Sequence, residues 1–231
     1  MRKALRRAAD GLFPGGGNRH DTLPALVVLL TVVTGIVDAV SYLGMDQVFV
    51  ANMTGNAVFL GFALAGDRRL SAWESLLALT VFTAGAWAAG RLARRIPYGR
   101  RTFAVATGVH AVLVAAALVT ALVAGHRDAA ARAALIVLLG AGMGLQNAAV
   151  RGLAIPDLAT ANVITSTLTG LAAESPGPAG RRRLASIAAM LLGALCGGFL
   201  HLRVGPAAAL AAALVPLAVA TVAAAARPAR G

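Results

Sequence analysis

Long apolar runs separated by short polar or basic breaks set the rhythm of this chain. Residues 23–43, 70–92, 102–124, 129–153, 184–202 and 206–226 each read as one apolar segment. A helix rises about 1.5 Å per residue, so each run is long enough for the roughly 30 Å hydrocarbon core of a bilayer. Pro216 lies inside the last run and is expected to kink it, because proline removes a backbone hydrogen bond in mid-helix. Two further stretches, 47–66 and 157–174, are apolar but interrupted. The first carries the knot Asn52-Met53-Thr54-Gly55-Asn56, the second the run Thr160-Ala161-Asn162-Val163-Ile164-Thr165-Ser166-Thr167. Polar groups at membrane depth are costly, so they line a cavity or pack against protein. Both stretches are predicted to be broken, re-entrant half-membrane segments.

The two halves of the pattern resemble each other. Gly35-Ile36-Val37-Asp38-Ala39 aligns with Gly144-Leu145-Gln146-Asn147-Ala148, and Thr54-Gly55-Asn56 with Thr165-Ser166-Thr167. The offsets are 109 (38 to 147) and 111 (54 to 165), which a two-residue length change reconciles. The predicted organisation is a basic tail over 1–22, a first membrane repeat over 23–125 and a second over 126–228. Charge then separates two topologies. If all eight apolar segments cross, the 21 Lys and Arg divide roughly 14 cytoplasmic to 7 external. If 47–66 and 157–174 are re-entrant, six helices cross and the division becomes roughly 16 to 5. The second fits the positive-inside rule better and gives three crossings per half, hence halves of opposite orientation, a recurrent transporter design. The expected fold is an all-α integral membrane protein with about six transmembrane helices, two broken segments and an inverted repeat.

Composition supports the membrane class. Of 231 residues, 58% are hydrophobic and 13% charged, and the mean hydropathy is +0.77. A soluble domain has roughly 45–50% apolar and about 25% charged residues. The formal charge of +12 sits in clusters between the apolar runs, not on an aromatic-basic surface, which argues against a nucleic-acid partner. The first apolar run is too long for a signal peptide and no Ala-x-Ala site follows it. The tail over 1–22 reads as flexible and cytoplasmic, with Arg2, Lys3, Arg6 and Arg7 near anionic lipid heads. Cys196, the one cysteine, is expected to be a small buried residue. No His-Glu-x-x-His, Gly-x-Ser-x-Gly, P-loop or dinucleotide fingerprint is present, so no catalytic residue, metal site or cofactor is assigned and an enzyme is not expected.

The residues that could carry chemistry are few. Asp38 lies about five residues before the end of the first span, roughly 8 Å inside it. It is either a proton, cation or substrate site or a structural cap for the Asn52–Asn56 knot. Asn52, Thr54, Gly55 and Asn56 have the residue types to start a half-helix whose N-terminus attracts negative charge, or equally to make a capped kink. Thr165, Ser166, Thr167 and Asn162 would supply the matching half, although hydroxyls in membrane helices often bond only their own backbone. Gln146 and Asn147 are paired amides where the repeat places them opposite Asp38; amides also glue helices without lining a path. His110, the histidine well inside a span, is a proton relay or a hydrogen-bonded structural residue. Glu74 and Glu174 read as interfacial. Gly140-x-x-x-Gly144 and Gly193-x-x-x-Gly197 read as close helix contacts. The function expected is a transporter or channel for a small polar or ionic solute, with its site between the two broken segments. The alternative is a non-transporting membrane scaffold or partner-binding protein. The expected partners are the lipid bilayer and the solute, and a homo-oligomer is allowed.

The run Gly35-x-x-Asp38-Ala39-x-Ser41-Tyr42, followed by Phe49-Val50-Ala51-Asn52-Met53-Thr54-Gly55-Asn56, resembles the YoaK-type family of bacterial membrane proteins, a domain of unknown function. Gly144-Leu145-Gln146-Asn147-Ala148 and the Thr-rich segment resemble the family's second half. The likeness covers about residues 25–225. Ser166 stands where the internal symmetry with Gly55 would place glycine, which weakens the idea of a second close backbone approach. The resemblance implies a multipass protein of the bacterial cytoplasmic (inner) membrane and assigns no substrate.

Overall fold

A computed structural model describes residues 1–13, 18–96, 99–156, 158, 168–170, 172 and 177–226. Among the described residues there is no strand. The helices are α1 (Arg2–Leu12), α2 (Leu23–Gly44), α3 (Met53–Leu64), α4 (Ala72–Arg95), α5 (Arg100–Val123), α6 (Ala129–Gly152), α7 (Pro178–Arg203) and α8 (Pro206–Ala225). Six of them, α2 and α4 to α8, are long and apolar enough to cross a membrane. At 12 residues α3 is about 18 Å long and cannot.

Local chemistry sets the helix starts. Ser71 accepts a hydrogen bond from the Glu74 N–H, and Asp128 accepts from the Ala130 and Ala131 N–H groups, each capping donors that the helix leaves free. Prolines at the first positions of α2, α7 and α8 need no donor there. α8 continues as one helix through Pro216. The expected flexible tail contains a helix: α1 packs Leu5, Leu12 and Phe13 on the core and buries Ala9. Arg2, Lys3, Arg6 and Arg7 interleave with these apolar positions, so one face binds protein while charge is kept on the other.

Packing divides the helices into a centre and a rim. α2 packs against α7 and α8, α6 against α4 and α5, and α5 against α8, while α2 and α6 touch sparsely. α2 and α6 are largely buried; α4 and α7 turn Trp73, Trp87, Leu191, Leu195 and Phe199 outward. Lipid tails solvate such side chains as well as a core does. That is why Cys196, expected to be buried, is exposed on the apolar outer face of α7.

Glycines let the parallel pairs approach to backbone contact. A Cβ on Gly35 of α2 would strike the Met190 carbonyl and come 2.6 Å from the Ala194 nitrogen of α7, and one on Gly193 would strike the Val32 carbonyl. In the other pair, a Cβ on Gly144 of α6 would strike the Phe82 carbonyl and come 3.0 Å from the Ala86 nitrogen of α4, and one on Gly85 would strike the Ala141 carbonyl. The small-residue motifs around Gly144 and Gly193 are packing sites, as their spacing predicts.

Two arginines fix which helix ends lie together. At one end, Arg100 of α5 donates to Asp21 Oδ2 at 3.0 Å, Thr22 Oγ1 at 3.1 Å and the Ala224 carbonyl at 3.0 Å, joining the starts of α2 and α5 to the end of α8. Arg182 at the start of α7 lies at the same end, donating to the Leu12 carbonyl at 3.4 Å. At the opposite end, Arg132 of α6 pairs with Asp46 and Glu74, both at 3.0 Å, joining the end of α2 to the starts of α4 and α6. Glu74 is therefore buried in an ion pair, not merely interfacial. α2 and α4 run in opposite directions, so the segment between them enters and leaves at one end. This is the six-crossing arrangement. The second interrupted stretch falls mostly outside the described residues, but both helices flanking it, α6 and α7, meet it at the Arg100 end.

Candidate functional site

The site grows from the turn after α2. Asp46 and Gln47 both adopt left-handed backbone conformations, with φ of 46° and 63°. Neither is glycine, so each costs roughly 1–2 kcal/mol. The Val48 N–H donates to the Met45 carbonyl at 3.1 Å and closes the reversal. The chain then runs back into the bundle as a non-helical segment in which Val48, Val50 and Ala51 are buried. Buried backbone donors at this depth need protein partners, because lipid offers none.

Each donor finds one. Oδ1 of Asp38, a carboxylate only 4% exposed, accepts the Ala51 N–H at 2.8 Å and the Val50 N–H at 3.2 Å. Asn56 holds Phe49 from the other side: the Phe49 N–H donates to Oδ1 at 2.9 Å, and Nδ2 donates to the Phe49 carbonyl at 2.6 Å. The amide side chain pairs with the backbone as a neighbouring strand would. Asn52 caps α3 by accepting the Gly55 N–H at 3.3 Å. Asp38 lies six residues before Gly44, so the carboxylate sits about 9 Å below the helix end.

Asp38, Asn52 and Asn56 thus meet around one segment. Gly55 belongs to the same knot but gives room to protein: a Cβ there would stand 2.9 Å from the Phe49 ring. Thr54 is exposed on α3. Gln146 and Asn147 lie elsewhere. Asn147 is five residues from the end of α6 at the Arg100 end, and its Nδ2 donates to the Met143 carbonyl of its own helix at 2.9 Å. Asp38 is near the opposite end of the bundle, so the two residues aligned by the repeat are not brought together. Gln146 turns to α5, where its Oε1 lies 2.7 Å from His110 Nδ1. Both side chains are buried, and Gly142 leaves the room that the His110 ring fills. Thr165, Ser166, Thr167 and Asn162, proposed as the matching half, lie outside the described residues.

Two features escape a reading of residue types alone. Tyr42, Phe49 and Phe59 stack, with centroids 4.9 Å (Tyr42–Phe49) and 5.9 Å (Phe49–Phe59) apart, and clamp the broken segment between α2 and α3. Above them opens a pocket of about 360 Å³ at the Arg132 end, lined by Tyr42, Asp46, Gln47, His126, Arg127 and Arg132 among others. Their signal in the sequence is faint, since the lining joins the end of α2 and its turn to the distant loop and first turn that begin α6. Among the described residues no group of three or more His, Cys, Asp or Glu side chains gathers to hold a metal ion.

A family model described as "Protein of unknown function (DUF1275)" matches residues 26–223, which run from the first turn of α2 to the last turn of α8 and include the knot. The chain belongs to this family. It is also similar to the UPF0700 transmembrane protein YoaK of Bacillus subtilis (strain 168), with 33% identity over 156 residues, 66% of this chain and 67% of that protein. No solved structure matches the chain. Membership in the DUF1275 family and the transmembrane relative agree with the six apolar helices: this is a multipass membrane protein.

Proposed function

We propose that this DUF1275 protein is a transporter or channel for a small polar or ionic solute in the bacterial inner membrane, built as an inverted repeat, with no enzymatic step. The observation that carries the reading is the double glycine crossing. Gly35 against Met190 and Ala194 corresponds to Gly144 against Phe82 and Ala86, and Gly193 against Val32 corresponds to Gly85 against Ala141. The offsets are 109 (35 to 144, 32 to 141) and 108 (82 to 190, 85 to 193, 86 to 194). Exchanging the halves turns one crossing into the other, and α2 and α6 run in opposite directions. Discontinuous segments at the interface of such halves are where transporters hold their solutes.

In this reading the pocket at the Arg132 end is the vestibule and the broken segment is the gate beneath it. Asp38 holds Val50 and Ala51 by charge-assisted bonds, so the geometry of the gate follows the charge on Asp38. Asp38→Asn retains an acceptor oxygen but removes the charge. It is expected to abolish ion- or proton-coupled flux in proteoliposomes while leaving folding nearly intact. Asn147→Ala should weaken flux less.

A second reading has its own observation. Asp38, Asn52 and Asn56 are all engaged by the chain's own backbone, which explains the polar knot without any solute. A scaffold or partner-binding protein would need no more. Uptake across a small metabolite panel, with and without a pH gradient, separates the two; flat uptake by stable, folded protein favours the scaffold.

A further inference from the structure

We propose that the C-terminal end of α4 is a binding site for the phosphate head group of an anionic phospholipid. The inference does not rest on solute transport. Arg91, Arg94 and Arg95 are all exposed and line, with Leu92, an open recess of about 410 Å³. The Arg91 guanidinium lies over the Trp87 ring, 4.0 Å from its centroid. Stacking on the ring holds the guanidinium plane in one orientation, which suits the two-pronged hydrogen bonding that arginine gives to phosphate.

The level and the charge both select lipid. Trp87 is 59% exposed on the outer face of α4, and Trp73 is 65% exposed on α4 near its other end. Tryptophans on a lipid-facing surface mark the head-group levels, so Arg91 sits where lipid phosphates lie. Leu92 in the recess offers an apolar wall to an acyl chain. No acidic partner of Arg91, Arg94 or Arg95 occurs among the described residues. The acids described at this end are Asp10, bonded to Asn18, and Asp21, paired with Arg2 and Arg100. At the opposite end the described Lys and Arg are only Arg68, Arg69, Arg127, Arg132 and Arg203, and acids there neutralise Arg69 and Arg132. The α4 end thus lies on the strongly positive side, the side that faces the cytoplasm and its anionic leaflet.

The test uses the purified full chain, titrated with phosphatidylglycerol or phosphatidylcholine and read by native mass spectrometry. Phosphatidylglycerol should bind at least about tenfold more tightly, since each arginine near an anionic surface contributes about fivefold. The triple variant Arg91→Gln, Arg94→Gln, Arg95→Gln should lose that preference, whereas Arg68→Gln with Arg69→Gln should keep it. Arg91→Lys retains the charge without the stacked fork and should fall between; it stands in if the triple variant melts early in phosphatidylcholine nanodiscs. Inorganic phosphate at millimolar concentration should not compete. Equal binding of the two lipids, a preference unchanged in the α4 variants, or displacement by inorganic phosphate would each overturn the proposal, the last in favour of a soluble anion.

Discussion

Asp38 and Asn56 do the same job with different chemistry. Each lends side-chain atoms to a buried backbone that has left helical geometry. Replacing Asp38 by Asn leaves an acceptor in place, but replacing it by Leu strands the Val50 and Ala51 N–H groups. Two orphaned donors cost about 1–3 kcal/mol each, so Asp38→Leu should lower stability by roughly 2–6 kcal/mol. Asn56→Ala frees both polar groups of Phe49 and should cost a similar amount. Thermal unfolding in one detergent checks both, and a melting point within a degree of the parent for either would contradict the account. Gln47 offers a contrast. Its left-handed backbone favours glycine, and its side chain is not needed by the knot, so Gln47→Gly should stabilise by about 1 kcal/mol in the same assay.

At the scale of elements, the parallel pairs α2 with α7 and α4 with α6 are governed by glycines in backbone contact. Here Gly35→Ala and Gly144→Ala act as matched probes. Each puts a methyl group against a carbonyl of the facing helix, which cannot yield as a side chain would. Each should cost about 1–3 kcal/mol or more through overpacking. If the two crossings are repeats of one design, the costs should agree closely. A large loss at one with none at the other would count against the repeat. Gly61 of α3 meets nothing nearby, so Gly61→Ala should be silent or slightly stabilising.

For the whole molecule, the arginine clamps decide the direction of every helix. Arg100 shares its end with Asp21 and α1, whereas Arg68 lies in the loop before α4 at the end where Arg132 pairs with Glu74. Single-cysteine labelling from outside intact cells, in a background lacking Cys196, should therefore modify Arg68→Cys and spare Arg100→Cys. The reverse pattern would restore eight crossings. Arg100→Ala should also loosen the Arg100 end, because it removes bonds to α2 and α8 at once. When Asp21 is replaced as well, the combined loss should be smaller than the sum of the two single losses, since the Arg100–Asp21 contact is shared and can be lost only once.

The membrane class and the spans were legible in the sequence because lipid demands long apolar helices and little else satisfies that demand. The knot was legible for a related reason: polar residues at that depth cannot be accidental. The close helix contacts were readable at Gly35 and Gly144, since backbone approach tolerates no side chain there. Partnership was another matter. Asp38, as an acceptor, would serve a solute as well as a backbone; only the fold of residues 45–52 gave it Val50 and Ala51. Asn147 aligns with Asp38 in sequence, yet α2 and α6 run in opposite directions and place the two residues near opposite ends of the bundle. Gln146 met His110 because α5 packs on α6, a choice made by helix surfaces rather than by either residue. Local sequence specifies which groups must be satisfied; the tertiary packing decides which groups satisfy them.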